Sequence, residues 1–148
     1  MNNSPRSSLD FSNSQLEQFS DDALLEVLPE KTNEGNSTKY VLIKHDYYST
    51  DSDHGREILS NFLTGLINSS YNSIVIYLID KGVKLLDRTD PLNGKMNRLI
   101  EKSESVIAAE DSICQYNVDL SNESKVVQES LSSITADLIF LDNILILE

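Results

Sequence analysis

The chain has a single thiol, Cys114, and it comes a few residues after the short apolar run Val106–Ala109. A cysteine whose thiolate is stabilised can act as a nucleophile or as a carrier of a transferable group. A free cysteine more often serves as a small buried apolar side chain. The residue type alone leaves both roles open, so the elements around Cys114 have to be considered.

Polar and ionisable residues follow three apolar runs that have the character of strands. The segment after Tyr40–Ile43 contains His45, Asp46, Tyr47, Tyr48, Asp51, Asp53 and His54, the segment after Ile74–Ile79 contains Asp80, Lys81 and Lys84, and the segment after Val106–Ala109 contains Glu110, Asp111, Ser112 and Cys114. In parallel sheets, ligands bind beyond the carboxyl ends of the strands. We therefore expect the three segments to converge on one site.

Several kinds of chemistry are disfavoured at that site. The chain has neither GxGxxG nor GxxxxGK[ST], and its first loop is acidic, so flavin and nucleotide binding are disfavoured and no cofactor is expected. A Cys–His hydrolase would need Cys114 beside His45 or His54, and nothing in the sequence fixes that geometry. A Mg²⁺ site of the receiver type requires adjacent aspartates at the end of the first strand, and this chain does not have them there. With one Cys and two His, no structural metal is expected.

Short apolar runs alternate with helical stripes from Lys39 onward. The pattern predicts strands at Tyr40–Ile43, Ile74–Ile79, Val106–Ala109 and Leu138–Leu141, with a last strand at Ile144–Leu147. It predicts helices over Gly55–Ser69, where Phe62 and Leu66 should be buried, from Asp90-Pro91, and through Val127, Leu131 and Ile134. Asp80-Lys81-Gly82 should form a turn with a residue at positive φ. This alternation favours a three-layer α/β/α, flavodoxin-like domain with a mainly parallel sheet.

Composition sets the organisation of the chain and limits its partners. The 148 residues carry 12 basic and 24 acidic side chains, a net charge of −12, without the basic cluster that nucleic acids or anionic membranes require. Neither a membrane-spanning run nor a signal peptide is visible, which favours a cytoplasmic protein. Residues 1–38 are acidic and rich in Ser and Asn, and we expect a flexible arm with a short helix between Leu16 and Leu28. Residues 39–148 are expected to form the folded domain.

The segment from Tyr40 to Leu141 resembles the DsrE/DsrF-like sulfur-relay superfamily, most closely the DsrE-like domain of YedF-type proteins linked to selenium metabolism. The resemblance covers roughly the last three quarters of the chain. It rests on Tyr40–Ile43, on Gly55–Leu63, on Ile74–Leu85 with its Lys81-Gly82-Val83-Lys84-Leu85 turn, and on Lys95–Val118 with Cys114 and Tyr116.

The resemblance implies that Cys114 carries sulfur as a persulfide and that an aromatic residue, here Tyr116, follows it. It implies a pocket around the thiol formed by His45, Asp46, Asp80, Lys81, Gly82, Lys84, Asp111 and Tyr116, with a lysine stabilising the thiolate. The family's first cysteine is replaced by Asp111 and the glycine between the two is missing, so sulfur would pass to a cysteine of another protein. The alternative is a non-catalytic interaction module of the same fold, and for both hypotheses relatives of this kind imply a homo-oligomer.

Overall fold

The structure is a computed structural model that describes residues 37–148. Residues 1–36 of the predicted arm, with its helix between Leu16 and Leu28, lie outside the described residues. Thr38, predicted as the last residue of the arm, begins the first strand.

A single five-stranded sheet forms the centre of this domain. Its strands are β1 (Thr38–Ile43), β2 (Ser73–Leu78), β3 (Ser105–Ala109), β4 (Val127–Glu129) and β5 (Ile144–Leu147). They lie in the order β4-β3-β2-β1-β5, and every neighbouring pair is parallel. The α/β class and the parallel sheet expected from the sequence are confirmed.

Four α-helices and two 3₁₀ segments connect the strands. The helices are α1 (Asp53–Ile67), α2 (Asn93–Lys102), α3 (Glu110–Gln115) and α4 (Leu131–Ile139), and the 3₁₀ segments are Asp80–Leu86 and Glu123–Lys125. Helix α1 begins where the Ser52 hydroxyl accepts a hydrogen bond from Gly55 N at 2.9 Å, which satisfies one of the free amides of its first turn. Its predicted apolar stripe faces the sheet through Leu59 and Leu63.

The two faces of the sheet are covered very differently. On the α1 face, helices α1 and α2 pack on the strands around a core that includes Leu63, Met96 and Ile76. On the α4 face, a smaller core of Leu42, Tyr77, Ile107, Ala109 and Ile134 lies beneath α4. Successive crossovers from β1 to β4 run in one direction, and right-handed crossovers of one direction place their helices on one face. Only the return from β4 to β5 leaves a helix on the other face.

The structure corrects the expectation for the last third of the chain. The run Leu138–Leu141, predicted as a strand, lies at the end of α4 and just after it, and the strand in the sheet is instead Val127–Glu129. Helix α4 starts at Leu131 because the Ser130 hydroxyl accepts from Ser133 N and the distant Asp111 carboxylate accepts from Leu131 N at 2.9 Å. The predicted last strand, Ile144–Leu147, is confirmed.

Two smaller expectations also change. Helix α2 begins at Asn93, two residues after Pro91, because the Asp90 carboxylate accepts from Leu92 N at 2.8 Å and closes a turn there. Leu66 is buried as expected, whereas Phe62 is only partly buried.

Candidate functional site

A polar pocket of about 270 Å³ lies at the carboxyl end of the sheet. Its wall combines residues that follow β1, β2 and β3: Asp46, Lys84, Asp87, Thr89, Asp90, Pro91, Tyr116 and Val118. Three of the predicted pocket residues, Asp46, Lys84 and Tyr116, therefore share one wall although they lie far apart in the sequence.

Asp80, Lys84 and Tyr116 form the contact between the second and third of these segments. The Tyr116 hydroxyl donates to Asp80 Oδ1 at 2.7 Å, and the Lys84 ammonium lies 5.2 Å from the centre of the Tyr116 ring. The hydrogen bond to the Asp80 carboxylate raises the pKa of Tyr116, because the bond exists only while the phenol keeps its proton. The ring of Tyr116 is thus held in place by a hydrogen bond at its tip and a cation beside its face.

The turn that carries Asp80 and Lys84 is packed tightly against the end of β1. Asp80, rather than Gly82, has the positive φ of 51°, which is a correction to the sequence expectation. Gly82 is needed for a different reason: a Cβ there would lie 2.2 Å from the carbonyl oxygen of Ile43. Buried Ser112 of α3 accepts from Asp80 N at 2.8 Å and ties the turn to the third segment.

Part of the pocket wall is acidic, formed by Asp87 and Asp90. Two backbone amides and a hydroxyl donate to Asp87, and the amide of Asp119 is the main cause that lowers the pKa of Asp87. Asp90 is half buried, and burial raises the pKa of its carboxyl, with the charges of Asp46 and Asp87 acting in the same direction. Because Lys84 also lines the pocket, it offers both signs of charge to a polar ligand.

Cys114 is exposed on α3 and is not part of this wall. It precedes Tyr116 by two residues, and its carbonyl oxygen accepts from Asn117 N at 3.3 Å at the end of the helix. Asp111, on the same helix, caps α4 through Leu131 N and so has a structural partner. Cys114 is therefore accessible to a large partner and lies outside the pocket wall.

His45 and Lys81 stand apart from the other predicted pocket residues. The His45 ring stacks on Tyr47 with centroids 4.8 Å apart, and its Nδ1 is buried without a hydrogen-bond partner among the described residues. Lys81 is partly buried and does not contribute to the pocket wall. The other candidate histidine, His54, lies at the exposed start of α1, with Nδ1 3.5 Å from Glu57.

Sequence reasoning missed the part of the wall formed by Asp87, Thr89, Asp90, Pro91 and Val118. From the connection after β2, the sequence predicts pocket residues only between Asp80 and Lys84. In the fold, the 3₁₀ segment continues to Leu86, and the following turn remains at the same end of the sheet. The Asp90-Pro91 pair, which in the sequence predicts a helix start, is the signal that could have indicated this turn.

Neither a metal site nor a membrane helix is found in the part of the chain that the structure describes. Within residues 37–148, no group of three or more His, Cys, Asp or Glu side chains is arranged to hold a metal ion. Across the same residues, no helix has the length and apolar character needed to cross a bilayer.

Comparison with known proteins identifies the fold. No family model matches the chain, and no curated protein matches it. Among solved structures, a conserved protein of unknown function from Bacteroides thetaiotaomicron is similar with a TM-score of 0.54 and 15% identity, over 77% of this chain and 97% of that one. The ychN protein from E. coli is similar with a TM-score of 0.51 and 12% identity, over 74% of this chain and 99% of that one. At these identities the likeness shows architecture alone, and this chain has a DsrE-like α/β fold.

Proposed function

We propose that this protein carries sulfur as a persulfide on Cys114 and passes it between partner proteins. The observation that carries the proposal is the exposure of this thiol on α3, directly after β3, at the carboxyl end of the sheet. The resemblance of the Gly82 turn, Cys114 and Tyr116 to the sulfur-relay superfamily supports it. The DsrE-like fold is compatible with it but does not by itself indicate sulfur chemistry.

The chemistry needs one thiol on this chain and a persulfide on a donor. The Cys114 thiolate attacks the outer sulfur of a donor persulfide, R–S–SH, so that a new S–S bond forms and the donor leaves as a thiolate, R–S⁻. The proton stays on the transferred sulfur, and no external oxidant or reductant is consumed. Because the described residues contain no second cysteine, the next transfer goes to a thiol of another molecule.

The neighbouring pocket supplies the recognition in this proposal. Lys84 and Tyr116 are joined by their cation–ring contact, and Tyr116 is two residues from the thiol. We infer that the Lys84 ammonium favours the thiolate and the anionic persulfide by its charge, and that the acidic wall selects a donor or acceptor with basic groups. Such partners, a homo-oligomeric state, a relation to YedF-type proteins and a reducing, cytoplasmic location belong to the same proposal.

A non-catalytic binding module is the second candidate, and one observation favours it. The pocket wall is built from Asp46, Lys84, Asp90 and Tyr116, whereas Cys114 points to solvent outside it. Asp111, in the place of the family's first cysteine, is used to cap α4. In this case the pocket binds a polar ligand or a partner side chain, and the thiol takes no part.

The rate of sulfur loading distinguishes the two candidates. The folded protein is treated with inorganic polysulfide, and the added sulfur is followed by intact mass spectrometry against the same protein unfolded in urea. A carrier is expected to load faster when folded, to lose loading completely in Cys114→Ser, and to load more slowly in Lys84→Ala. Lys125→Ala is the matched control, since Lys125 pairs with Glu101 at 2.8 Å and takes no part in the pocket. Equal or slower loading of the folded protein overturns the carrier function and leaves the binding module.

A further inference from the structure

In the sheet formed by the described residues, strand β5 is an edge. Within residues 37–148 it pairs only with β1, over Ile144–Leu147. The Leu147 carbonyl accepts from Lys44 N at 3.2 Å and therefore faces β1. Backbone groups alternate in direction along a strand, so the N–H and C=O groups of Ile144 and Ile146 point to the free side.

The side chains of β5 are apolar on both faces of this edge. On the α1 face, an almost entirely apolar groove of about 330 Å³ runs between the strand and the helix, lined by Ile58, Asn61, Phe62, Gly65, Leu66 and Leu145. On the α4 face, Ile146 is 41% exposed. Among the residues that the structure describes, the two most exposed large apolar side chains are Ile139 at 77% and Phe140 at 84%, and both come shortly before the strand.

This edge lacks the usual protection against pairing with another strand. Edge strands are commonly blunted by charged side chains, proline or bulges. The sequence Ile144-Leu145-Ile146-Leu147 has none of these within its length. The groove is open beside Gly65, where an added Cβ would have no neighbouring atom within 4 Å.

Exposed acidic side chains occur on both elements that form the groove. Glu57 lies one helical turn before Asn61 on α1, with His54 Nδ1 3.5 Å away, and the neighbouring Arg56 is bonded to Asp51 and Asp53. Asp142 is exposed two residues before β5. The chain as a whole carries a net charge of −12, so a basic segment is attracted to this edge and an acidic one is repelled.

We propose that the free edge of β5 binds an extended segment of a partner protein in which apolar and basic residues alternate. The segment adds a further strand beside Ile144–Leu147 and bonds to the outward backbone groups of Ile144 and Ile146. An apolar side chain of the segment enters the groove beside Gly65, and its basic side chains meet Glu57 and Asp142. The site is independent of the sulfur-carrier proposal, since Cys114 follows β3, two strands away from β1.

The probe is a synthetic peptide of alternating lysine and valine, titrated into the isotope-labelled full-length chain and followed by NMR. The expected result is that the amides of Ile144 and Ile146 shift and become protected from exchange. The same peptide with glutamate in place of lysine is expected to bind at least about tenfold more weakly. Shifts confined to other regions, or equal binding of the two peptides, overturn the proposal.

Two variants test the site from inside the groove and from the strand edge. Gly65→Leu fills the groove and should weaken lysine-peptide binding about tenfold, whereas Gly94→Leu, at an equally open glycine of α2, should not. Ile146→Pro removes an outward N–H without removing a hydrogen bond to β1, and it should weaken binding even if Gly65→Leu perturbs the helix. Unchanged binding in both variants overturns the proposal. Protection of the Ile146 amide in the dilute, peptide-free protein also overturns it, because the edge would already be occupied.

Discussion

The two faces of the sheet differ in how much of their apolar surface the described chain covers. The α1 face lies under two helices, and Leu59, Leu63, Met96 and Leu99 are fully buried there. The α4 face lies under one nine-residue helix, of which only Ile134 is buried, and Ile139 and Phe140 remain largely exposed. Strand order explains the contrast, because connections in one direction place their helices on the same face. The edge strand proposed as a docking site, Ile144–Leu147, follows these exposed residues in the sequence.

The largest effect is expected in the core of the α1 face. Leu63→Ala should lower the free energy of unfolding by about 2–5 kcal/mol, through lost burial and the cavity left between α1 and the sheet. Urea denaturation of the full chain measures this change. Ile139→Ala, a comparable truncation at an exposed position, is the control and should change the free energy by less than about 0.5 kcal/mol. Similar losses for the two variants would contradict the contrast between the faces.

The turn below the pocket should be the next most sensitive position. Gly82→Ala places a Cβ against the Ile43 carbonyl, and we expect a loss of about 1–3 kcal/mol because neither backbone segment can move freely. Gly94→Ala, in open space on α2, should instead stabilise the protein by about 0.4–1 kcal/mol. Thermal unfolding of the pair gives the comparison, and a neutral Gly82→Ala would show that the turn is not packed on β1 as described.

On the α4 face, the start of the helix depends on a distant carboxylate. Asp111→Ala should cost about 0.5–2 kcal/mol, because Leu131 N loses its acceptor at the first turn of α4. Asp111→Asn keeps an acceptor oxygen and should retain most of the stability. Hydrogen exchange localises the effect, and it should appear as faster exchange within α4. Unchanged exchange of α4 would argue against this cap.

The smallest effect is expected at the exposed end of α4. Phe140→Ser should alter the free energy of unfolding by less than about 0.5 kcal/mol, because the side chain has little buried area to lose. Denaturation at two protein concentrations measures it. A loss well above about 1 kcal/mol, or a strong dependence on concentration, would mean that the α4 face is covered in solution. The two faces would then differ less in covered apolar surface than the described residues indicate.

The candidate site could be predicted in outline, since Asp46, Lys84 and Tyr116 each follow a strand and parallel strands end together. Its acidic wall could not, because the turn from Asp87 to Pro91 reaches the pocket only through the course of the 3₁₀ segment. The role of Asp111 was also beyond the sequence, as its partner Leu131 lies 20 residues away on another helix.

The sequence by itself determined the α/β class, the first three strands, the last strand and the stripe of α1. The strands are encoded locally as short continuous runs of apolar residues, and the helix as an apolar stripe at a period of 3.6. Tertiary structure decided the state of the apolar run Leu138–Leu141, which is compatible with either helix or strand, and of Val127–Glu129, which contains a single apolar residue and no strand pattern of its own. The Asp111 carboxylate caps the helix that contains Leu138, and Val127–Glu129 pairs with β3 as a strand. Tertiary structure also decided that Cys114 is exposed, because burial depends on which elements pack around a side chain and not on the side chain's own chemistry.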